Sequence, residues 1–214
     1  MEKQNQRGKL IVFEGIDGAG KTTQIELLSQ ALTERGMRVC RTAEPTESVT
    51  GGLLRDALAG ISSRTACEMA ALFTLDRIFH NVNPANGIER MLSDGVHVIC
   101  DRYYYSSIAY QGSETDSAWV RDMNLCCPEI RKPDVCFFLD LTPAQSMARI
   151  NRGRVTHEIY ENEEKLEQVR QKFYRAFEEL GERENVVIVD AFRSVEEIHG
   201  EILEKTLLLL NGED

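Results

Sequence analysis

The chain has 214 residues, an apolar share of 42% and a formal net charge of −10. Its length suits one large domain with a sizeable core, and its acidic balance excludes a general affinity for nucleic acid or anionic membrane, which needs a basic surface. It contains no apolar run of the roughly eighteen residues that a membrane span requires. Met1 to Gly8 is polar, lacks the apolar stretch of a signal peptide, and reads as a flexible lead-in to a single domain over 9–214 in a cytoplasmic protein.

In chain order, Lys9–Glu14 (KLIVFE) predicts a buried strand. A glycine-rich turn and a helix over Thr22–Arg35 follow, with Ile25, Leu28 and Leu32 on one face and Gly36 as its cap. Met37–Arg41, Val96–Cys100, Val135–Leu139 and Val186–Val189 are four more strands, and helical patterns fill the gaps, notably over Cys67–Asn81 and Glu163–Leu180. Continuous apolar strands alternating with helices predict an α/β fold, a five-stranded parallel sheet covered on both faces. Ligands in such sheets bind beyond the carboxyl ends of the strands. Cys40, Cys67, Cys100, Cys126, Cys127 and Cys136 form no C-x-x-C pair and read as buried free thiols rather than zinc ligands.

The turn after the first strand, Gly15 to Thr22 (GIDGAGKT), matches G-x-x-x-x-G-K-[ST] between a strand and a helix,. This is the phosphate-binding loop of P-loop NTPases. Glycines let backbone amides turn inward around a phosphate, and the helix start adds partial positive charge. Gly15, Ile16, Asp17, Gly18, Ala19, Gly20, Lys21, Thr22 and Thr23 are the expected nucleotide contacts. Lys21 reaches the outer phosphates and Thr22 binds magnesium. No Asn-Lys-x-Asp stretch for guanine is present. Asp101-Arg102 directly follows the third strand, so an arginine can bridge two phosphates beside this loop, with Asp101 holding a metal-bound water.

The stretch Asp101–Gly112 (DRYYYSSIAYQG) resembles the signature of thymidylate kinases. Glu44-Pro45 with Arg55 downstream, Leu72–Arg77 (LFTLDR) followed by His80, and Arg131–Asp134 (RKPD) resemble the same family in the same order. The resemblance runs from about residue 9 to 192. It implies Mg2+-dependent transfer from ATP to dTMP, giving dTDP, a step in dTTP synthesis, and a homodimer. Phe73 and Arg77 share a helix face, so Phe73 can stack on a pyrimidine while Arg77 donates to its exocyclic oxygen. Carried over from the family, Ser107 and Gln111 line the base and Tyr110 excludes a ribose 2′-hydroxyl. Arg55 grips the acceptor phosphate, Glu44 faces the sugar or the metal waters, and Asp17 lies near the 3′-hydroxyl and magnesium.

The densest basic cluster, Arg149, Arg152 and Arg154, looks like the mobile lid of a nucleoside monophosphate kinase, over about 149–161, with Arg149 and Arg154 as alternative phosphate ligands. Gly18 stands where one branch of the family carries an arginine, and branches lacking it place basic residues in the lid. The rival readings are a kinase for another nucleoside monophosphate or a deoxynucleoside, and a non-catalytic nucleotide-binding regulator.

Overall fold

A computed structural model describes the backbone of residues 7–153 and 163–212 and, apart from 150–153 and 182, their side chains. The expected apolar runs pair into one sheet of strands β1 (Leu10–Glu14), β2 (Val39–Ala43), β3 (His97–Asp101), β4 (Val135–Asp140) and β5 (Val186–Asp190). All neighbours are parallel, in the order β2-β3-β1-β4-β5. Around it lie helices α1 (Lys21–Glu34), α2 (Val49–Leu58), α3 (Ala66–Val82), α4 (Ile88–Ser93), α5 (Tyr104–Glu114), α6 (Ser117–Leu125), α7 (Pro143–Gly153), α8 (Glu163–Leu180) and α9 (Val195–Asn211). Among the described residues, no helix is long and apolar enough to cross a membrane.

Side chains alternate across a strand, and β1 shows why it must be apolar throughout. Leu10 and Val12 enter a core with Tyr103, Tyr105, Phe138 and Phe173, while Ile11 and Phe13 enter a second core with Leu28, Leu32, Phe137 and Ile198. Helices α5 and α8 cover the first face; α1 and α9 cover the second. Edge strand β5 is less protected, leaving Ile188 47% exposed.

Strand β2 begins two residues later than the sequence suggests. Gly36 adopts φ +78°, and the Met37 amide donates to Leu32 O at 3.1 Å, closing α1, so pairing with β3 starts only at Val39. The thiols also differ from expectation: Cys100 and Cys136 are buried, but Cys67 and Cys126 are exposed, and Cys40 and Cys127 are half-buried. Cys67 lies in the first turn of α3 and Cys126 caps α6, places that need no burial. At the start of the description, the Gly8 amide donates to Leu92 O at 2.8 Å and Arg7 reaches Ser93; residues 1–6 of the expected lead-in lie outside the described residues.

The register brings the functional loops together. Phe13 pairs with Asp101, Asp101 with Ala43, and Glu14 with Phe138. The chain therefore leaves β1, β2 and β3 at one level, turning from β1 to α1 on the second face and from its neighbours β3 and β4 to α5 and α8 on the first,.

Phe173 ties α8 to this scaffold: it is fully buried, its ring 4.9 Å from Phe138 and edge-on to Tyr110 at 6.4 Å. Phe173→Ala is expected to cost about 3–5 kcal/mol, read as a lowered midpoint of urea unfolding at unchanged slope. An unaltered midpoint would show that α8 contributes little to this core.

Candidate phosphoryl-transfer site

The loop after β1 is held tightly at its root. Gly15 has φ +143°, and a β-carbon there would lie 2.7 Å from Leu139 O, so only glycine fits,. Ile16 and Ala19 are buried and anchor the loop, whereas Asp17, Gly18 and Gly20 are partly accessible. Gly20 caps α1 in the left-handed region, and the first amides of a helix have no intrahelical partner, so they are available to an anion,. Thr22 and Thr23 are exposed in this first turn. Lys21 is only 8% exposed and folds back, its Nζ donating to Gly15 O at 3.1 Å and Ile16 O at 3.5 Å. Burial, and then Arg102, push its ammonium below the usual lysine range, while Asp101, Asp17 and Glu14 pull the other way.

Arg102 meets the loop from β3. Its Nη1 donates to the same Gly15 O at 3.3 Å and to Ser106 Oγ at 3.1 Å, and its Nη2 donates to Asp17 Oδ1 at 2.5 Å. The guanidinium lies 5.4 Å from the Tyr110 ring centre. Asp17, expected near a sugar and magnesium, here orients Arg102. Arg102 has φ +67°, the sole non-glycine in that region among the described residues. Glu14, fully buried at the end of β1, accepts from the Tyr103 amide at 2.8 Å, the Ser106 amide at 3.0 Å and Ser106 Oγ at 2.6 Å.

Beside this cluster is a buried polar pocket. Arg77, 1% exposed, donates from Nε and Nη2 to Glu44 Oε2 at 2.8 and 2.7 Å. Its Nη1 donates to Ser107 Oγ at 3.2 Å and to Asn124 Oδ1. Ser107, Tyr110 and Gln111 are buried on α5, and Phe73 is half-buried one turn before Arg77 on α3. Glu44 thus holds the arginine that the sequence assigns to the base. It also accepts a contact from His80 Nδ1 at 3.0 Å, while His80 Nε2 lies 2.7 Å from Thr42 Oγ1.

The chain beyond Glu44-Pro45, a cis peptide, is organised by Asp76. Its carboxylate accepts from the Thr46 amide at 2.8 Å and from the Thr46, Ser48 and Thr50 hydroxyls at 2.7, 2.9 and 2.7 Å. Arg55, in the last turn of α2, donates to the carbonyls of Thr46 and Pro45 and keeps a 40% exposed side chain. It therefore borders the pocket without being consumed by it. On the other side, Arg149 Nη2 donates to Ala191 O at 2.9 Å, and its Nη1 would lie 3.9 Å from a β-carbon at Gly20. Arg154 and most of the expected lid lie outside the described residues.

A divalent cation can be tested against the donors present. Asp101 Oδ1 is buried without a hydrogen-bond partner among the described residues, and the Thr22 hydroxyl is exposed. An unused acceptor costs free energy unless something fills it, so these two residues fit magnesium and a water it carries. Glu44, His80 and Cys100 also bring ligand atoms within 4.8 Å of one another. There, however, both histidine nitrogens are engaged, and burial and then Glu44 push the Cys100 thiol well up, its Sγ donating to Arg102 O at 3.1 Å.

Two cations on one carbonyl at the tip of the central strand are the arrangement of a phosphotransferase built on the P-loop NTPase fold. A family model described as Thymidylate kinase matches residues 13–202. A probable thymidylate kinase of Pyrococcus horikoshii is 39% identical over 92% of this chain and 95% of its own length. One from Methanococcus aeolicus is 38% identical over 93% and 96%, and the thymidylate kinase of Leptospira borgpetersenii is 33% identical over 91% of each. The chain belongs to the thymidylate kinase family.

Sequence reading missed Glu14, Ser106 and Asn124 as parts of this site. Glu14 was legible in principle: a carboxylate ending an apolar strand beside a phosphate loop needs partners. Asn124 sits in no motif, and only the packing of α6 on α5 and α3 reveals it.

Asp76 gives a test of the pocket wall. Burial pushes its carboxyl up, but the Thr46, Thr50 and Ser48 hydrogen bonds outweigh this and hold it below the usual range. Its stabilising effect is therefore complete above the unfolded value near 4 and is lost as pH falls through the depressed folded value. Asp76→Asn is expected to cost about 1–3 kcal/mol at pH 7, with the gap in unfolding temperature from wild type closing in acid. A gap that widens below pH 4 would contradict this.

Proposed function

We propose that this protein phosphorylates dTMP to dTDP with ATP. The observation that carries the reading is the Gly15 carbonyl shared by Lys21 Nζ and Arg102 Nη1. A phosphoryl group entering the loop displaces that carbonyl as the common partner of both cations. The acceptor oxygen of dTMP is already anionic, so its attack needs no strong base. A new P–O bond forms to the γ-phosphorus, the bond to the β-bridging oxygen breaks, and ADP leaves with those electrons. Positioning and charge neutralisation carry the rate.

The remaining residues fall into place around that step. The α1 amides and Lys21 cradle the donor phosphates. Thr22, by its hydroxyl, and Asp101, through a water, would hold a magnesium ion, which neutralises phosphate charge when bound. Arg55 holds the acceptor phosphate, and Arg149 brings a further cation to the rim of the loop. Arg149 also anchors the loop after β5, where Phe192 is 67% exposed and offers a flat face to adenine. Phe73 covers the pyrimidine, Arg77 meets its O4, and Ser107, Gln111 and Tyr110 close the pocket. Because a guanidinium only donates, cytosine's amino group is mismatched, whereas loss of the thymine methyl costs dUMP only about 1–3 kcal/mol.

Lys21→Ala and Arg102→Ala are each expected to lower kcat by about 10³-fold or more in a folded protein. In an acceptor panel with magnesium-ATP, dTMP should exceed dUMP, and dCMP should be nearly inert. Equal turnover of dCMP and dTMP, or ATP binding without turnover of any monophosphate, would overturn the reading.

We also propose a cytoplasmic homodimer. Leu75, Phe79 and Val82 lie at helical spacing on the outer face of α3, 50%, 44% and 43% exposed, opposite the buried Arg77. A contiguous apolar stripe on the helix that forms the pocket suits a second copy. Sedimentation should give two chains, and Phe79→Asp should shift the equilibrium toward one. A monomer at all concentrations would refute the dimer.

A further inference from the structure

We infer that Glu14 and Ser106 are positioning residues for Arg102, acting as a buried relay that aims its guanidinium at the phosphate loop. The inference rests on the role proposed above for Arg102.

Arg102 stands between two constraints. Its own amide donates to Phe13 O at 2.9 Å, continuing the β1–β3 ladder, while the next residue caps α5. Turning from a strand into a helix at one residue leaves Arg102 at φ +67°, an unfavourable conformation for a side chain with a β-carbon,. Something must hold the chain there. The N-cap residue Tyr103 supplies no side-chain cap, and Glu14 from β1 takes that place instead. Its Oε1 accepts the Tyr103 and Ser106 amides, and its Oε2 accepts the Ser106 hydroxyl proton. Two backbone donors at the start of α5 are thus satisfied from a neighbouring strand.

Ser106 links this cap to the arginine. Its hydroxyl donates to Glu14 Oε2 at 2.6 Å, which turns its lone pairs toward Arg102 Nη1 at 3.1 Å. With its proton committed to a carboxylate, the oxygen is a better acceptor than an isolated serine. The same nitrogen reaches Gly15 O, and the other reaches Asp17. The guanidinium is therefore gripped from the α5 side by Ser106 and from the loop side by Asp17. When a phosphate replaces the Gly15 contact, the Ser106 contact remains to fix the direction of approach.

The placement of Glu14 favours this role over a purely structural one. Burial pushes its carboxyl up, with Arg102 as the first influence opposing the rise, followed by Ser106. A fully buried carboxylate is a costly way to cap a helix when a serine or asparagine at position 103 would serve. What such local caps cannot supply is a charge facing Arg102.

A double-mutant cycle separates positioning from folding. Ser106→Ala keeps both backbone bonds to Glu14 and removes only the link; it is expected to lower kcat about tenfold, with KM for dTMP changed by less than about threefold. Glu14→Gln should lower kcat at least as much. In an Arg102→Ala background neither substitution should lower kcat further, because the group they aim is gone. Equal losses in both backgrounds, or wild-type kcat in Ser106→Ala, would overturn the relay while leaving Arg102 its role. Near-normal turnover of Arg102→Ala alone would instead remove the role of Arg102, and the relay with it. Thermal melts of each variant identify any loss due to unfolding, and Ser106→Ala carries the test if Glu14→Gln does not fold.

Discussion

One peptide carbonyl, that of Gly15, organises this molecule. It lies at the end of the central strand, where glycine alone fits against Leu139, and it accepts from both Lys21 and Arg102. Two cations this close repel, with Lys21 buried and Arg102 half-buried. They coexist because Asp17, Asp101 and Glu14 surround them and because the carbonyl dipole occupies the space between them. A triphosphate's terminal group is a stronger partner than a neutral carbonyl. In the reaction proposed above, the site holds beside the loop the charges that transfer requires.

The buried polar pocket beside it obeys the same economy. Arg77 and Glu44 are both almost fully buried, and a buried ion pair is poor value for stability because desolvation rivals attraction. It persists here with every group engaged: Glu44 takes Arg77 twice and His80 once, and Arg77 keeps one nitrogen for Ser107 and Asn124. Such a network gives direction. With Nε and one Nη2 proton on Glu44 and Nη1 on Ser107 and Asn124, Arg77 has one Nη2 proton left at a fixed angle, which suits the proposed discrimination between a carbonyl and an amino group,. Asp76 does for the backbone beyond Pro45 what Glu44 does for Arg77, gathering three hydroxyls and an amide so that Arg55 starts from a defined place.

Much of this could be read from residues alone because it is local or periodic. The P-loop is a contiguous backbone motif, and five apolar runs declare five strands, of which β1, β3 and β4 are buried while the edge strands β2 and β5 are partly exposed. Arg102 follows its strand directly, so the register of β1 with β3 necessarily carries it to the loop. Other features depend on tertiary contacts and left no local mark. The start of β2 is decided by how Gly36 and Met37 close α1. The exposure of Cys67 and Cys126 depends on which face of a helix turn meets the core, and Asn124 matters only because α6 packs beside α3. Asp17 and Glu44, placed by resemblance near the sugar and the metal, also pair with Arg102 and Arg77 in this structure. That is a consequence of unpaired arginines seeking the nearest carboxylates in a buried, polar site.

The most direct test is a crystal structure with adenosine and thymidine joined through five phosphates, a molecule that occupies donor and acceptor sites at once. Lys21 Nζ and Arg102 Nη1 should both leave Gly15 O and meet the central phosphates, with thymine O4 at Arg77. Either cation still bound to that carbonyl, or a thymine lying outside the space between α3 and α5, would contradict convergence at the tip of β1.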